Sequence, residues 1–186
     1  MKTVFLSGSR KISRLNDMIR RRIDNMIKQE FQIIIGDANG ADKALQAYLA
    51  ESEYKDVVIF CTGFTCRNNV GSWRVRNIEV APMLTGRDFY MQKDKAMASE
   101  ADFGFVLWDG KSAGAISNVF ELLKRHKSVV VYFGPEKRFY TLNGPGDVQM
   151  LLDQCTDHDY RSISKKIQLD RRLADLGVSQ QRSFSL

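Results

Sequence analysis

Three short polar loops in this chain carry the residue types that hold an anion. They are Ser7-Gly8-Ser9-Arg10, Gly36-Asp37-Ala38-Asn39-Gly40-Ala41-Asp42 and Asp109-Gly110-Lys111-Ser112-Ala113-Gly114. Each follows an apolar run and precedes a helical pattern. Glycine lets the backbone approach a bound group closely, and the helix that follows offers free N–H groups and the positive end of its dipole. Ser9, Asn39 and Ser112 add side-chain hydrogen bonds, while Arg10 and Lys111 place charge where a phosphate would lie. Any one of these loops is equally a tight turn with a helix cap. Three on one edge point to a ligand. The Gly36 loop lacks the Gly-Lys-Ser/Thr of a P-loop, and the dinucleotide pattern Gly-x-Gly-x-x-Gly is missing, which disfavours ATPase and dehydrogenase chemistry.

Positioning these loops requires strands that end at a common edge. Val4-Phe5-Leu6, Gln32 to Ile35, Val57 to Phe60, Phe103 to Trp108 and a final Val129 to Phe133 read as buried strands. Between them, Ile12, Leu15, Ile19, Ile23 and Met26 recur at steps of three and four, the spacing of one helix face. Similar stripes run through Ala44, Leu45, Tyr48 and Leu49, through Met91, Asp94, Met97 and Ala98, and through Ile116, Val119, Phe120 and Leu123. Alternating strands and helices predict an α/β fold, a Rossmann-like three-layer sandwich with a mostly parallel sheet. Ligands of such sheets bind beyond the carboxyl ends of the strands, where the three loops fall. Residues 1–154 are expected to form this domain, and 155–186 a polar C-terminal extension, a loosely held helix frayed over 178–186. Residues 61–85 are the least legible, with Val75 to Val80 as an extra strand. Their Arg67, Asn68, Asn69, Trp73, Arg74, Arg76 and Asn77 either read a base and phosphate or decorate a solvated insertion.

Bulk properties bound the function class. A chain of 186 residues builds one core without staples. No apolar run nears the roughly 18 residues of a membrane span, and the first residues read as a strand rather than a signal peptide, so a cytoplasmic location is expected. Cys61, Cys66 and Cys155 are odd in number and lack metal-ligand spacing. Reduced thiols are expected, with a reactive Cys61 or Cys66 as the alternative. No metal and no cofactor are called for. The net charge of +6 equals the excess carried by residues 2–28 alone, eight cations against Asp17 and Asp24. Arg20-Arg21-Arg22 within it is either a solvated helix face or a contact for a phosphate-rich partner. Trp108 either stacks on a base or closes the core, and Asp109 either accepts from ribose hydroxyls or caps its turn. His126, at a cationic helix end, reads as structural.

Taken in order, Gly8-Ser9-Arg10, Gly36 to Asp42, Lys93-Asp94-x-x-Met97 and Trp108-Asp109-Gly110-Lys111-Ser112-x-Gly114 resemble the motifs of the SLOG superfamily. That group includes the Lonely Guy phosphoribohydrolases, the DNA-processing protein DprA and nucleotide-sensing domains of bacterial conflict systems. The similarity spans roughly residues 3 to 133 and is nearest the small bacterial and phage branch related to YspA and YpsA. It implies a nucleotide or nucleotide-derived ligand held by these loops, and a homo-oligomer. The hydrolases of the family carry Pro-Gly-Gly-x-Gly-Thr-x-x-Glu with a catalytic Glu. Matching its Gly-Thr to Gly114-Ala115 puts Asn118 at the Glu position, and the family's Arg-Lys helix puts Lys93 where Arg stands. Asn118 cannot take a proton or stabilise an oxocarbenium-like centre as a carboxylate does. Glu121, three residues on, and Asp94 are the substitute catalytic candidates.

Three readings follow. The first is a module that binds or senses a small nucleotide-derived ligand. The second is a hydrolase or transferase acting on an N-glycosidic bond through Asp94, Asp109 or Glu121. The third is a DprA-like binder of single-stranded DNA, for which the N-terminal cations argue, although aromatics do not interleave with them. The enzyme reading expects two acids converging on the pocket, and the DNA reading expects Arg20 to Arg22 on the same edge.

Overall fold

The computed structural model describes residues 1–183, with side chains through Gly177. Seven strands form one sheet: β1 (Thr3–Gly8), β2 (Gln32–Gly36), β3 (Val57–Thr62), β4 (Arg74–Ile78), β5 (Phe103–Trp108), β6 (Val129–Phe133) and β7 (Arg138–Leu142). Their order is β4-β3-β2-β1-β5-β6-β7, parallel throughout except for antiparallel β7. Interleaved with them are α1 (Asp17–Lys28), α2 (Ala41–Glu51), α3 (Gly86–Glu100), α4 (Ala113–Leu123), α5 (Pro145–Leu152), α6 (Asp157–Ile167) and α7 (Leu169–Ser183). The result is a Rossmann-like three-layer sandwich.

The period-two alternation of the strands sorts their side chains between the two helical layers. Val4, Leu6, Ile33, Ile35, Ile59, Phe105 and Leu107 pack with Ile19, Ile23 and Met26 of α1 and Leu45 and Leu49 of α2. Phe5, Ile34, Phe60, Val106 and Trp108 face the other way, onto Met97 and Ala98 of α3 and the apolar stripe of α4. The chain progresses outward from β1 through β2, β3 and β4, then returns to place β5 on the opposite side of β1. Between β1 and β5 the order therefore reverses. Such a switch point splays the loops that leave the two strands and opens a crevice between them.

Several boundaries depart from the sequence expectation, each for a local reason. Helix α1 starts at Asp17, because Asn16 ends the preceding loop and its Oδ1 accepts from the Ile19 amide at 3.1 Å. Ile12 and Leu15 pack from the loop rather than from the helix. The strand expected over 75–80 is the parallel edge strand β4, Arg74–Ile78. Strand β6 is not the last: residues 134–137 reverse the chain into β7, which pairs Val129 with Leu142 and Phe133 with Arg138. Beyond residue 155, where a loosely held helix was expected, α6 and α7 are anchored. Ile163, Ile167, Leu169 and Leu176 are buried in the same cluster as α4 and α5. The fraying expected over 178–186 concerns side chains, and for 184–186 a backbone, outside the described residues. Among the described residues no helix is long and apolar enough to cross a membrane.

Candidate functional site

A cleft of about 790 Å³ opens at the β1/β5 switch point, beyond the carboxyl ends of the strands. Its floor is held by one small clamp. Ser9 Oγ donates to Asp109 Oδ1 at 2.8 Å and accepts from the Asp109 amide at 3.1 Å. The same Asp109 oxygen accepts from the Lys111 and Ser112 amides at 3.1 and 2.8 Å. Asp109 thus caps its own turn and ties the β1 loop to the β5 loop. Gly8 is needed beside this clamp, since a Cβ there would lie 2.5 Å from the Leu107 carbonyl oxygen and 2.7 Å from Ala41 Cβ.

From the clamp the chain enters α4. Ser112 is its N-cap, with Oγ accepting from the Ala115 amide at 3.3 Å. Helical geometry leaves the Ala113 and Gly114 amides without an intrahelical acceptor. Lys111, Ser112, Ala113, Gly114 and Asn118 line the cleft from this side, and Arg10 and Lys11 from the β1 loop. An anion at the start of α4 would meet backbone donors, a helix dipole and nearby cations together.

The opposite wall is a buried charge cluster. Lys93 of α3 is only 4% exposed, and its Nζ donates to Asp94 Oδ1 at 2.7 Å. A Cβ built on Gly36 would lie 2.6 Å from Lys93 Nζ and 2.7 Å from Asp42 Oδ2, so this glycine makes room for the ammonium and a second carboxylate. Burial works against the Lys93 charge, but Asp94, Asp42 and Asp37 outweigh it and hold its pKa above the ordinary lysine value. Asp94 takes the direct contact, which leaves Asp42 as the surplus acid. Burial pushes the Asp42 carboxyl up to about 6, with Lys93 opposing the rise and Asp94 adding to it. Perturbed groups of this kind in a cleft are candidates for function.

The Gly36 loop reaches the third wall through Asp37. Its carboxylate accepts from Arg67 Nη2 at 2.6 Å, from Arg67 Nε at 3.0 Å and from the Arg67 amide at 3.1 Å. Burial would raise Asp37, but these hydrogen bonds and the neighbouring cations hold it below the usual carboxylate range. The fixed guanidinium lies over the Tyr90 ring, 4.4 Å from its centroid, so the two stack as a cation–π platform at the cleft wall. Asn68 reinforces the loop by donating to the Asp37 carbonyl at 2.8 Å and to Asn39 Oδ1 at 3.0 Å.

The residues singled out from the sequence separate into three groups. Gly8, Arg10, Asp42, Lys93, Asp94, Asp109, Lys111, Ser112, Gly114 and Asn118 line the cleft. Ser9, Gly36, Asp37, Asn39, Gly40 and Gly110 stand behind it and shape the loops. Gly40, for instance, has φ +81° and presses against the Arg10 backbone. Glu121 is elsewhere: it turns toward α7, accepting from Arg125 Nη1 at 2.9 Å with Arg172 Nη1 at 3.8 Å. Asn118, at the position where the family's Glu was matched, donates to Ser7 Oγ at 3.2 Å.

Other open alternatives also resolve. Trp108 is fully buried and donates to the Ser112 carbonyl, so it is core. Trp73 is likewise buried, donating to the Tyr54 carbonyl. Cys61 and Cys66 are bonded as a disulfide, contrary to the reduced thiols expected, because the turn after β3 brings their Cα atoms within 5.3 Å. Cys155 is free. The sequence reading missed Arg87 and Tyr90 of α3 and Asp159, Ser162 and Lys166 of α6, all of which line the cleft. The spacing of Ile163 and Ile167 was the available signal that α6 packs down. Comparison with family models, curated proteins and solved structures finds no match to this chain.

Proposed function

We propose that the cleft binds a nucleotide or nucleotide-derived ligand with a phosphate at the N-terminus of α4. One observation carries this reading. Gly114 sits in the first turn of that helix, and a Cβ there would meet nothing nearer than Ser112 Oγ at 3.8 Å. Its φ lies outside the left-handed range, so the protein itself does not require glycine at this exposed point on the cleft floor. A ligand group packed against the helix backbone would. Arg10 and Lys111 then flank the phosphate, and the Arg67–Tyr90 platform takes the base by stacking. The resemblance to the SLOG superfamily supports the same ligand class. Thermal melting against a panel of nucleotides, ADP-ribose and cyclic forms tests it. At a hundredfold over its dissociation constant a ligand adds roughly 2.7 kcal/mol, a clear upward shift in Tm. No shift with any member would remove the proposal.

A second reading, cleavage of an N-glycosidic bond, is favoured by the Asp42–Lys93–Asp94 cluster. Two acids converge on the cleft, and one of them is held near 6, where a general acid or base is effective. Each compound that shifts the melt is therefore assayed for released base. Turnover lost in Asp42→Asn or Asp94→Asn makes the protein an enzyme, and binding without turnover makes it a sensor. The DNA reading gains no such observation. Arg20, Arg21 and Arg22 stand on α1, with Arg20 over Tyr48 and Arg22 over Phe139, and none lines the cleft.

A further inference from the structure

A second cavity of about 370 Å³ lies between α3, α4, α6 and α7. Arg87, Met91 and Lys166 line both this cavity and the cleft, so these side chains form a wall shared by the two spaces. The floor of the second cavity is apolar, with Phe120, Ile167 and Leu176. Its rim is cationic. Among the described residues Lys124, Lys166 and Arg171 have no ion-pair partner, while Glu121 is already engaged by Arg125 and Arg172. Asp88 and Asp175 also line the cavity, and neither comes within ion-pair distance of these cations. Arg87 spends a donor on the Lys166 carbonyl at 2.7 Å rather than on a carboxylate. Burial and the nearby Arg172 guanidinium depress its pKa, with Asp88 and Asp94 opposing the shift. Arg172 links the two spaces further by donating to Ser117 Oγ at 3.0 Å, Ser117 being on the cleft wall.

From this arrangement we infer that the ligand is an extended molecule with anionic groups at both ends. One end sits at the start of α4, and the other crosses Arg87 to the Lys124–Lys166–Arg171 rim. The inference rests on the cleft reading and adds a substrate class to it: a dinucleotide or short oligonucleotide rather than a mononucleotide. A single phosphate would leave the second cavity's cations unanswered. A chain with a charge at each end satisfies both.

The test is calorimetric titration of the full chain with AMP and with pApAp, a dinucleotide carrying a terminal phosphate at each end. Two variants of equal charge change are compared. Lys124→Ala/Arg171→Ala removes exposed cations of the second cavity. Arg21→Ala/Lys28→Ala removes exposed cations of α1 and corrects for general attraction between a basic protein and a polyanion. The expected result is pApAp binding at least roughly tenfold tighter than AMP. That advantage is lost in the first variant and kept in the second, with AMP affinity unchanged in both. Equal affinities, or an advantage that both variants reduce alike, overturn the extended ligand while AMP binding keeps the cleft reading. Binding of neither compound overturns the extended ligand, and it takes the cleft reading with it if no other mononucleotide shifts the melt.

Discussion

Replacing Lys93 by Met keeps most of the side-chain volume but removes the one ammonium that three acids share. Asp94 and Asp42 then repel each other with no ammonium to offset them, and Asp37 adds to the repulsion, itself answered by Arg67. Breaking a buried ion pair from one side costs roughly 3–5 kcal/mol, and that is the loss expected at pH 8. The pH dependence is the sharper signature. Asp42 is already raised to about 6 with Lys93 present, so its charge destabilises the fold above that pH and not below about 4. Without Lys93 its pKa rises further. The variant's penalty therefore keeps growing at pH values where the native protein's has levelled off. The difference between the two closes as folded Asp42 takes its proton in both, and each penalty itself is gone only below about 4. Urea unfolding followed by fluorescence of buried Trp73 and Trp108 measures this at pH 5, 6, 7 and 8. The deficit of Lys93→Met is expected to be largest at pH 8 and to shrink toward pH 5. Adding Asp42→Asn in the same background is expected to recover a substantial part of it at pH 8, a coupling between neighbours. A deficit below about 1 kcal/mol, or one flat across this range, would refute the shared-ammonium description.

Two glycines of the cleft separate packing from ligand contact. Gly8→Ala drives a methyl into the Leu107 carbonyl and Ala41, and is expected to cost about 1–3 kcal/mol in the same urea assay. Gly114→Ala meets open space, and is expected to hold or raise stability by up to about 1 kcal/mol while weakening nucleotide binding in the melting assay. At the other end of the chain, Ile163→Ala is expected to cost about 2–5 kcal/mol, because Ile163 of α6 is fully buried against the core. A loss near zero would mean that α6 docks without contributing to the domain's stability.

Where one physical pattern dominated, the sequence was a reliable guide. Fully buried parallel strands demand β-branched and aromatic runs, and all five so read became β1, β2, β3, β5 and β6. The cleft loops were legible because a glycine-bearing turn between a buried strand and a helix can lie only at the strands' carboxyl edge. Strand β7 escaped because an edge strand with one solvated face needs no such run. Arg138 and Thr141 are exposed, and only the turn at residues 134–137 marked it. A helix was expected past residue 155, but the docking of α6 and α7 escaped for a related reason: a helix lying on another helix buries a narrow stripe, here Ile163 and Ile167, amid a polar surface. Glu121 was misplaced by helix geometry. A step of three residues from Asn118 falls about 60° short of a full turn and moves roughly 4.5 Å away from the cleft, which carries Glu121 round to α7. The Lys93–Asp42 proximity joins residues some fifty positions apart, and no local spacing encodes it.

The most direct test of the phosphate site is a ¹H–¹⁵N spectrum of the labelled protein titrated with a nucleotide that shifts its melt. The amides of Ala113 and Gly114 should move furthest and saturate with the same affinity as the melt. A ligand that stabilises the protein while leaving those two amides unmoved would place its phosphate elsewhere and contradict the role assigned to the start of α4.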